Sequence, residues 1–192
     1  LWPRWLISKM DAVIATSPAA AELVKPVAAV VGHGVDVRRF APEVSRTVAL
    51  GKLDVAFVKA VGQFGRVRPE KGSDIFVEAM IELLPDHPEF GAVLVGKVTP
   101  QFEKFSEQLQ KKVRDAGLQD RIVWFGEVPF SEVPAVYNAM SIVVAPSRYE
   151  GFGLTPIEAL ASGAPVIAAD TGAYRQMIDQ GVTGAIFPVG DD

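Results

Sequence analysis

Two stretches of this 192-residue sequence gather side chains suited to an anionic, hydroxyl-rich ligand. The first is Gly62-Gln63-Phe64-Gly65-Arg66-Val67-Arg68-Pro69-Glu70-Lys71-Gly72. Glycines let a backbone approach a ligand closely, and Arg66, Arg68 and Lys71 concentrate positive charge just before a helix whose free N–H groups favour an anion. This composition describes a phosphate or diphosphate cradle. It is not a P-loop, because Lys71 precedes its glycine and no Gly-Lys-Ser/Thr follows; nor is there a G-x-G-x-x-G dinucleotide fingerprint. From the local sequence alone, a solvated turn with ordinary surface cations remains an equal alternative.

The second stretch is Ser147-Arg148-Tyr149-Glu150-Gly151-Phe152-Gly153-Leu154-Thr155-Pro156-Ile157-Glu158. An apolar run, Ile142–Ala145, delivers Glu150 to a strand end, and Gly151 and Gly153 expose N–H groups ahead of a helix. A carboxylate placed there accepts hydrogen bonds from sugar hydroxyls, each charge-assisted bond contributing roughly 1.5–3 kcal/mol. Glu158 is positioned to bridge the two hydroxyls of a ribose. Thr155-Pro156-Ile157-Glu158 also reads as a capping box with proline at the first helical position, in which Glu158 would bond the Thr155 N–H. Both readings of Glu158 stand at this point. No second carboxylate is placed opposite Glu150, which argues against a paired-carboxylate hydrolase.

Other chemistry-bearing residues are sparse. His33, between two glycines, reads as structural more readily than as a cleft residue, and His87 as a surface residue. Trp124 reads as core. No serine sits in a G-x-S-x-G elbow. There is no cysteine, hence no disulfide or thiolate zinc site, and two distant histidines make a transition-metal cluster a poor expectation.

The elements that must position these loops follow from patterning. Hydrophobic residues make up 49% and charged residues 22%, a globular balance that excludes a disordered segment. A net charge of −4 argues against a nucleic-acid partner. No apolar run approaches the roughly 20 residues of a membrane helix. Val55–Val61, Ala92–Gly96, Ile122–Phe125, Ile142–Ala145, Pro165–Ala169 and Gly184–Phe187 are nearly continuously apolar, as parallel strands buried on both faces are. Between them, Asp74–Leu84 carries Phe76, Met80, Leu83 and Leu84 as its buried set. Pro100–Ala116 repeats Phe102, Phe105, Leu109, Val113 and Ala116 at helical steps, with Thr99 as cap and Gly117 as left-handed stop. Ser131 opens a helix bearing Val133, Val136, Tyr137 and Met140. Strand–helix alternation predicts an α/β fold with a Rossmann-like, doubly wound parallel sheet.

Residues 1–36 show the same alternation: a helix over 1–10, a strand at Ala12–Ala15, a helix at Pro18–Val24 and a strand at Val27–Val31. Leu1 is not an initiator methionine, and Leu1–Met10 reads as an amphipathic helix entered partway, packed against chain outside this sequence. From Gly32 to Lys52 periodicity is lost, which reads as a segment crossing between lobes. The expected division is residues 1–36 as the remnant of one lobe, 37–52 as linker and 53–192 as a ligand-binding domain cut short at its C-terminal end.

Gly65-Arg66-x-x-x-x-Lys71-Gly72, followed about 80 residues later by Glu150-Gly151-Phe152-Gly153-x-x-x-x-Glu158 and Ala159-Leu160-Ala161-Ser162-Gly163-Ala164-Pro165-Val166-Ile167-Ala168, resembles the donor-binding domain of glycosyltransferase family 4. These are retaining, nucleotide-sugar-dependent enzymes of the GT-B fold. His33-Gly34-Val35-Asp36-x-x-x-Phe40 is similar to their interdomain linker, and the resemblance spans nearly the whole chain. Within the family, Arg66–Asp74 and Arg148–Pro156 are most similar to bacterial lipopolysaccharide core mannosyltransferases.

The resemblance implies GDP-mannose as donor and a lipopolysaccharide core or related glycan as acceptor. Carried over by motif, Arg66 and Lys71 hold the diphosphate, Glu150 contacts the donor sugar beside the N–H groups of Gly151, Phe152, Gly153 and Leu154, and Glu158 binds the ribose. Gly126-Glu127-Val128 matches the base-contacting segment. Arg66, Lys71 and Glu150 are thereby the candidate catalytic residues, with Gly65 in the phosphate loop. Neither a metal nor a further cofactor is implied. The implied location is cytoplasmic, with peripheral contact to the inner membrane through the absent lobe left open. Most of the acceptor lobe lies outside this sequence, so the fragment by itself is expected to bind nucleotide without turnover. The His33 position is often asparagine in the wider family. A sugar-nucleotide epimerase-like enzyme and a non-catalytic nucleotide-binding module remain the alternatives.

Overall fold

The computed structural model describes residues 4–24, 26–42 and 45–190. In chain order the elements are α1 (Arg4–Ile7), β1 (Ile14–Ala15), α2 (Pro18–Leu23), β2 (Ala29–Val30), α3 (Arg46–Gly51), β3 (Lys59–Phe64), α4 (Ser73–Leu83), β4 (Phe90–Val95), α5 (Glu103–Asp115), β5 (Ile122–Gly126), α6 (Val133–Ala139), β6 (Met140–Ala145), α7 (Thr155–Ala161), β7 (Val166–Ala169), α8 (Tyr174–Met177) and β8 (Gly184–Phe187). Six strands form one parallel sheet in the order β5-β4-β3-β6-β7-β8, and β1 pairs with β2 in a separate parallel pair. The sequence runs outward from β3 to β5, then returns to place β6 beside β3, as in a doubly wound sheet. The loops after β3 and β6 therefore flank the point where strand order reverses, the crevice where such sheets bind ligands.

Alternate residues of each strand face opposite sides. In β4, Ala92 and Leu94 join Val61, Phe76, Val77, Leu109 and Val113 beneath α4 and α5. Val93 and Val95 face the other way, among Phe40, Leu50, Tyr137, Met140, Val143 and Tyr174. This two-sided burial explains why the strands read as apolar runs without alternation.

Several boundaries and contacts differ from expectation. The strand expected at Val55–Val61 is shifted to Lys59–Phe64, because pairing with β4 matches Lys59 to Phe90 and Phe64 to Val95. Met140 belongs to β6 rather than to the preceding helix; it lies under Gly62, where a methyl would overlap its sulfur. Leu83 is half exposed and Ala116 is exposed, so neither belongs to the buried set of its helix. Thr99 makes no side-chain cap, because a 3₁₀ turn at Pro100–Phe102 precedes α5. Gly117 does take the left-handed conformation, at φ 70°. Within the stretch expected to be irregular, Ser45 caps α3, whose Ala49 and Leu50 are buried in the core. Six residues are too few to display a period. Of the helix expected over 1–10, Leu1, Trp2 and Pro3 lie outside the described residues, as do Asp191 and Asp192; α1 covers Arg4–Ile7, with Trp5 exposed.

Candidate nucleotide-sugar site

Close backbone approach fixes the loop after β3. Gly65 has φ 121° and Gly96 has φ 147°, and a methyl on Gly96 would overlap the Gly65 carbonyl oxygen. The Gly65 N–H donates to the Val95 carbonyl at 2.9 Å and the Val67 N–H to the Lys97 carbonyl at 3.1 Å, pinning both sides of Arg66. Gly72, at φ 67°, starts α4, and a methyl there would overlap the Pro146 carbonyl oxygen. The loops after β3 and β6 are thus in backbone contact.

Side chains tie the same loops together. Arg148 is bidentate to Asp74, at 2.7 and 3.0 Å, and donates to the Pro69 carbonyl at 2.8 Å; the Arg148 N–H donates to the Glu70 carbonyl at 2.9 Å. Burial alone would raise the Asp74 pKa, but the Arg148 guanidinium and the backbone N–H groups of Asp74 and Ile75 together hold the carboxyl below its ordinary value. Buried Gln63 donates its amide to the Lys71 carbonyl at 2.8 Å.

Lys71 consequently meets Glu150. Its ammonium bonds Glu150 Oε1, with the two side chains only 19% and 12% exposed. The same oxygen accepts from Ser147 Oγ at 3.1 Å and from the Tyr174 hydroxyl at 3.3 Å. Burial and the neighbouring Glu150 charge push the Tyr174 phenol far up, so it donates. Three donors on Oε1 leave Oε2 as the oxygen of Glu150 with no protein partner among the described residues.

Glu158 is turned away from the helix start. The capping-box reading is overturned: α7 begins at Thr155 without a side-chain cap, and Glu158 Oε2 instead accepts from the Tyr137 hydroxyl at 2.9 Å. Burial raises the Glu158 pKa, opposed in part by the Tyr137 hydrogen bond; burial and the Glu158 charge push the phenol well above its ordinary value. Tyr137 stacks on Phe64 with ring centroids 3.8 Å apart and meets Phe40 edge-on at 5.9 Å. Phe64, the last residue of β3, thereby links the Arg66 loop to Glu158.

Arg66 itself is exposed and makes no hydrogen bond or ion pair with another described residue. The N–H groups of Gly151, Phe152, Gly153 and Leu154 find no backbone acceptor among the described residues. Gly153 sits at φ 82° against the Tyr174 ring, and Gly151 accepts through its carbonyl from Ser17 Oγ at 2.6 Å. Exposed His33 meets Phe152 edge-on at 5.0 Å, which places it beside this loop. In the third loop, Gly126 has φ 80°, its carbonyl accepts from the Gly96 N–H at 2.7 Å, and Val128 packs on the core. His87 is exposed and Trp124 packs on the α4–α5 side, both as expected.

Tyr137, Tyr174 and Gln63 were not legible as site residues. A tyrosine at a helical step carries the same signal whether its hydroxyl is idle or bonded. Among the described residues no group of three or more His, Asp or Glu could hold a metal ion, and no helix is long and apolar enough to cross a membrane. The loops are not enclosed by the cavity of about 670 Å³ near Ile7, Met10 and Val27, which shares no lining residue with them.

Comparison with known proteins gives the family. The family model described as "Glycosyl transferases group 1" matches residues 58–192. The lipopolysaccharide core biosynthesis mannosyltransferase LpcC of Rhizobium leguminosarum bv. viciae is 45% identical over 99% of this chain and 53% of its own length. The corresponding LpsB of Rhizobium meliloti is 44% identical over 99% of this chain and 54% of its own. The chain thus spans about half the length of these curated relatives. Among solved structures, the C-terminal domain of LpcC from Francisella tularensis superposes with a TM-score of 0.75 at 35% identity, covering 82% of this chain and 81% of that one. Anabaena Alr3699/HepE in complex with UDP gives a TM-score of 0.82 at 26% identity, over 93% of this chain and 50% of that one.

Proposed function

We propose a function from the premise that the chain belongs to the glycosyl transferases group 1 family. It carries the donor-binding part of a retaining mannosyltransferase that takes mannose from GDP-mannose and delivers it to a lipopolysaccharide core or related glycan. The fold is the GT-B donor-side architecture of its structural neighbours. One observation carries the reading: Lys71 and Glu150 meet across the crevice, with exposed Arg66, unbonded among the described residues, on the Lys71 loop and Glu158 reached through Phe64 and Tyr137.

In that reading Arg66 and Lys71 receive the diphosphate, Glu158 the ribose hydroxyls, and Glu150 Oε2 the sugar hydroxyls. The glycosyl–phosphate bond breaks as an acceptor hydroxyl attacks on the same face. The bonding pair leaves with the phosphate, whose growing charge the two cations neutralise, and the acceptor proton passes to that phosphate oxygen. No side chain becomes a covalent nucleophile, so catalysis is positioning and leaving-group stabilisation. In this reading the acceptor is bound by the part of the relatives' length that this chain does not span. The match of 99% of this chain to about half of each of two mannosyltransferases favours mannose and disfavours the epimerase and non-catalytic alternatives.

The test is a thermal-shift and calorimetry panel of GDP-, UDP- and ADP-sugars against the full-length protein. GDP-mannose is expected to bind tightest. Preference for a UDP-sugar would overturn the donor, and indifference to all three would overturn the site.

A further inference from the structure

Each of the two carboxylates in this crevice is held by one buried tyrosine. Tyr137 and Tyr174 are both 1% exposed. Tyr137 donates to Glu158 Oε2 at 2.9 Å, and Tyr174 donates to Glu150 Oε1 at 3.3 Å. We propose that the two phenols are positioning residues with separate duties: Tyr137 aims Glu158 at the nucleoside, and Tyr174 aims Glu150 at the transferred sugar.

The surroundings of each ring make the assignment specific. Tyr137 is fixed between Phe64 and Phe40, so its hydroxyl has a set direction independent of Glu158. Tyr174 lies beneath Gly153, whose missing side chain admits the ring. Gly172, at φ 57° in the loop from β7 to α8, packs against Glu150 Cβ and so brings the start of α8 beside the glutamate loop. Neither tyrosine hydrogen-bonds the opposite carboxylate. A carboxylate that must be ordered on binding loses side-chain torsional freedom; a buried donor removes that freedom beforehand, for Glu158 through Tyr137 and for Glu150 through Tyr174 together with Lys71 and Ser147, which raises affinity by preorganisation.

The inference rests on the donor-site reading above, and the experiment separates the two. Calorimetry on the full-length protein would compare GDP with GDP-mannose for Y137F, Y174F, E158Q and E150Q, with melting temperatures recorded alongside. Phenylalanine keeps each ring's packing and removes only the hydroxyl. Y137F is expected to weaken both ligands by the same factor, about ten-fold. Y174F is expected to leave GDP within two-fold and to weaken GDP-mannose alone. Equal effects of both variants on both ligands would assign the tyrosines to general packing and overturn the proposal. So would Phe variants that bind normally while the Gln variants do not; in that case the donor site stands. If E158Q and E150Q also bind normally, or the parent protein binds neither ligand, the donor-site reading falls and takes this inference with it.

Discussion

Lys71 and Glu150, 79 residues apart in the chain, share a hydrogen bond across the point where strand order reverses. The cation assigned to the diphosphate and the carboxylate assigned to the sugar are thus partners before any ligand arrives. Both are largely withdrawn from water, so removing either leaves a poorly compensated charge.

For Glu150→Gln, Lys71 keeps its charge and faces an uncharged amide, while Ser147 and Tyr174 can still donate to the amide oxygen. GDP-mannose affinity is expected to fall by about 1.5–3 kcal/mol, with GDP affinity much less affected. Titration calorimetry with both ligands checks this; equal losses would show that Glu150 serves the nucleotide instead.

Arg66 offers the cleanest separation of binding from stability. It is exposed and bonds no other described residue. Arg66→Ala is expected to weaken GDP binding by ~1.5–3 kcal/mol while folding stability stays within about 0.5 kcal/mol. A large fall in melting temperature would mean the guanidinium supports the loop.

Gly72→Ala should act in the opposite way. The position is left-handed, at φ 67°, and the added methyl runs into the Pro146 carbonyl. We expect a loss of at least ~2 kcal/mol, or about 4 °C or more in melting temperature for a chain of this size. An unchanged melt would show that the two loops can part freely.

The Glu158 carboxyl titrates above its ordinary value because it is buried. Its neutral form is favoured by folding, so its contribution to stability is full at acid pH and lost as pH rises through the raised value. Glu158→Gln is therefore expected to melt higher than the parent at neutral pH, by a few degrees at most, with the difference vanishing in acid. GDP affinity should fall in the same variant. Melting curves from acid to neutral pH check the sign.

Asp74 behaves conversely. Although burial opposes ionisation, Arg148 holds its pKa down, so the stability it adds is present above the ordinary carboxylate value and lost as pH falls through the lowered one. The pair is partly exposed, so Asp74→Asn should cost only about 0.5–1 kcal/mol at neutral pH. Arg148→Ala also removes the bond to the Pro69 carbonyl and should cost more. Chemical denaturation of the two variants compares them.

The sequence by itself determined the alternation of strand and helix, the doubly wound sheet, and the two loops carrying Arg66, Lys71, Glu150 and Glu158. It did so because burial on both faces and the glycines at turns leave signatures within a few residues of one another. Tertiary structure alone decided who bonds whom. The Thr155–Glu158 spacing satisfies a local cap, yet Glu158 turns to Tyr137, which Phe64 holds in place from another strand. Lys71 finds Glu150 because β3 and β6 are neighbours, and Tyr174 reaches the same oxygen from a four-residue helix too short to announce itself. Periodicity records which side of an element is buried; a hydrogen-bond partner depends on where distant elements are brought side by side.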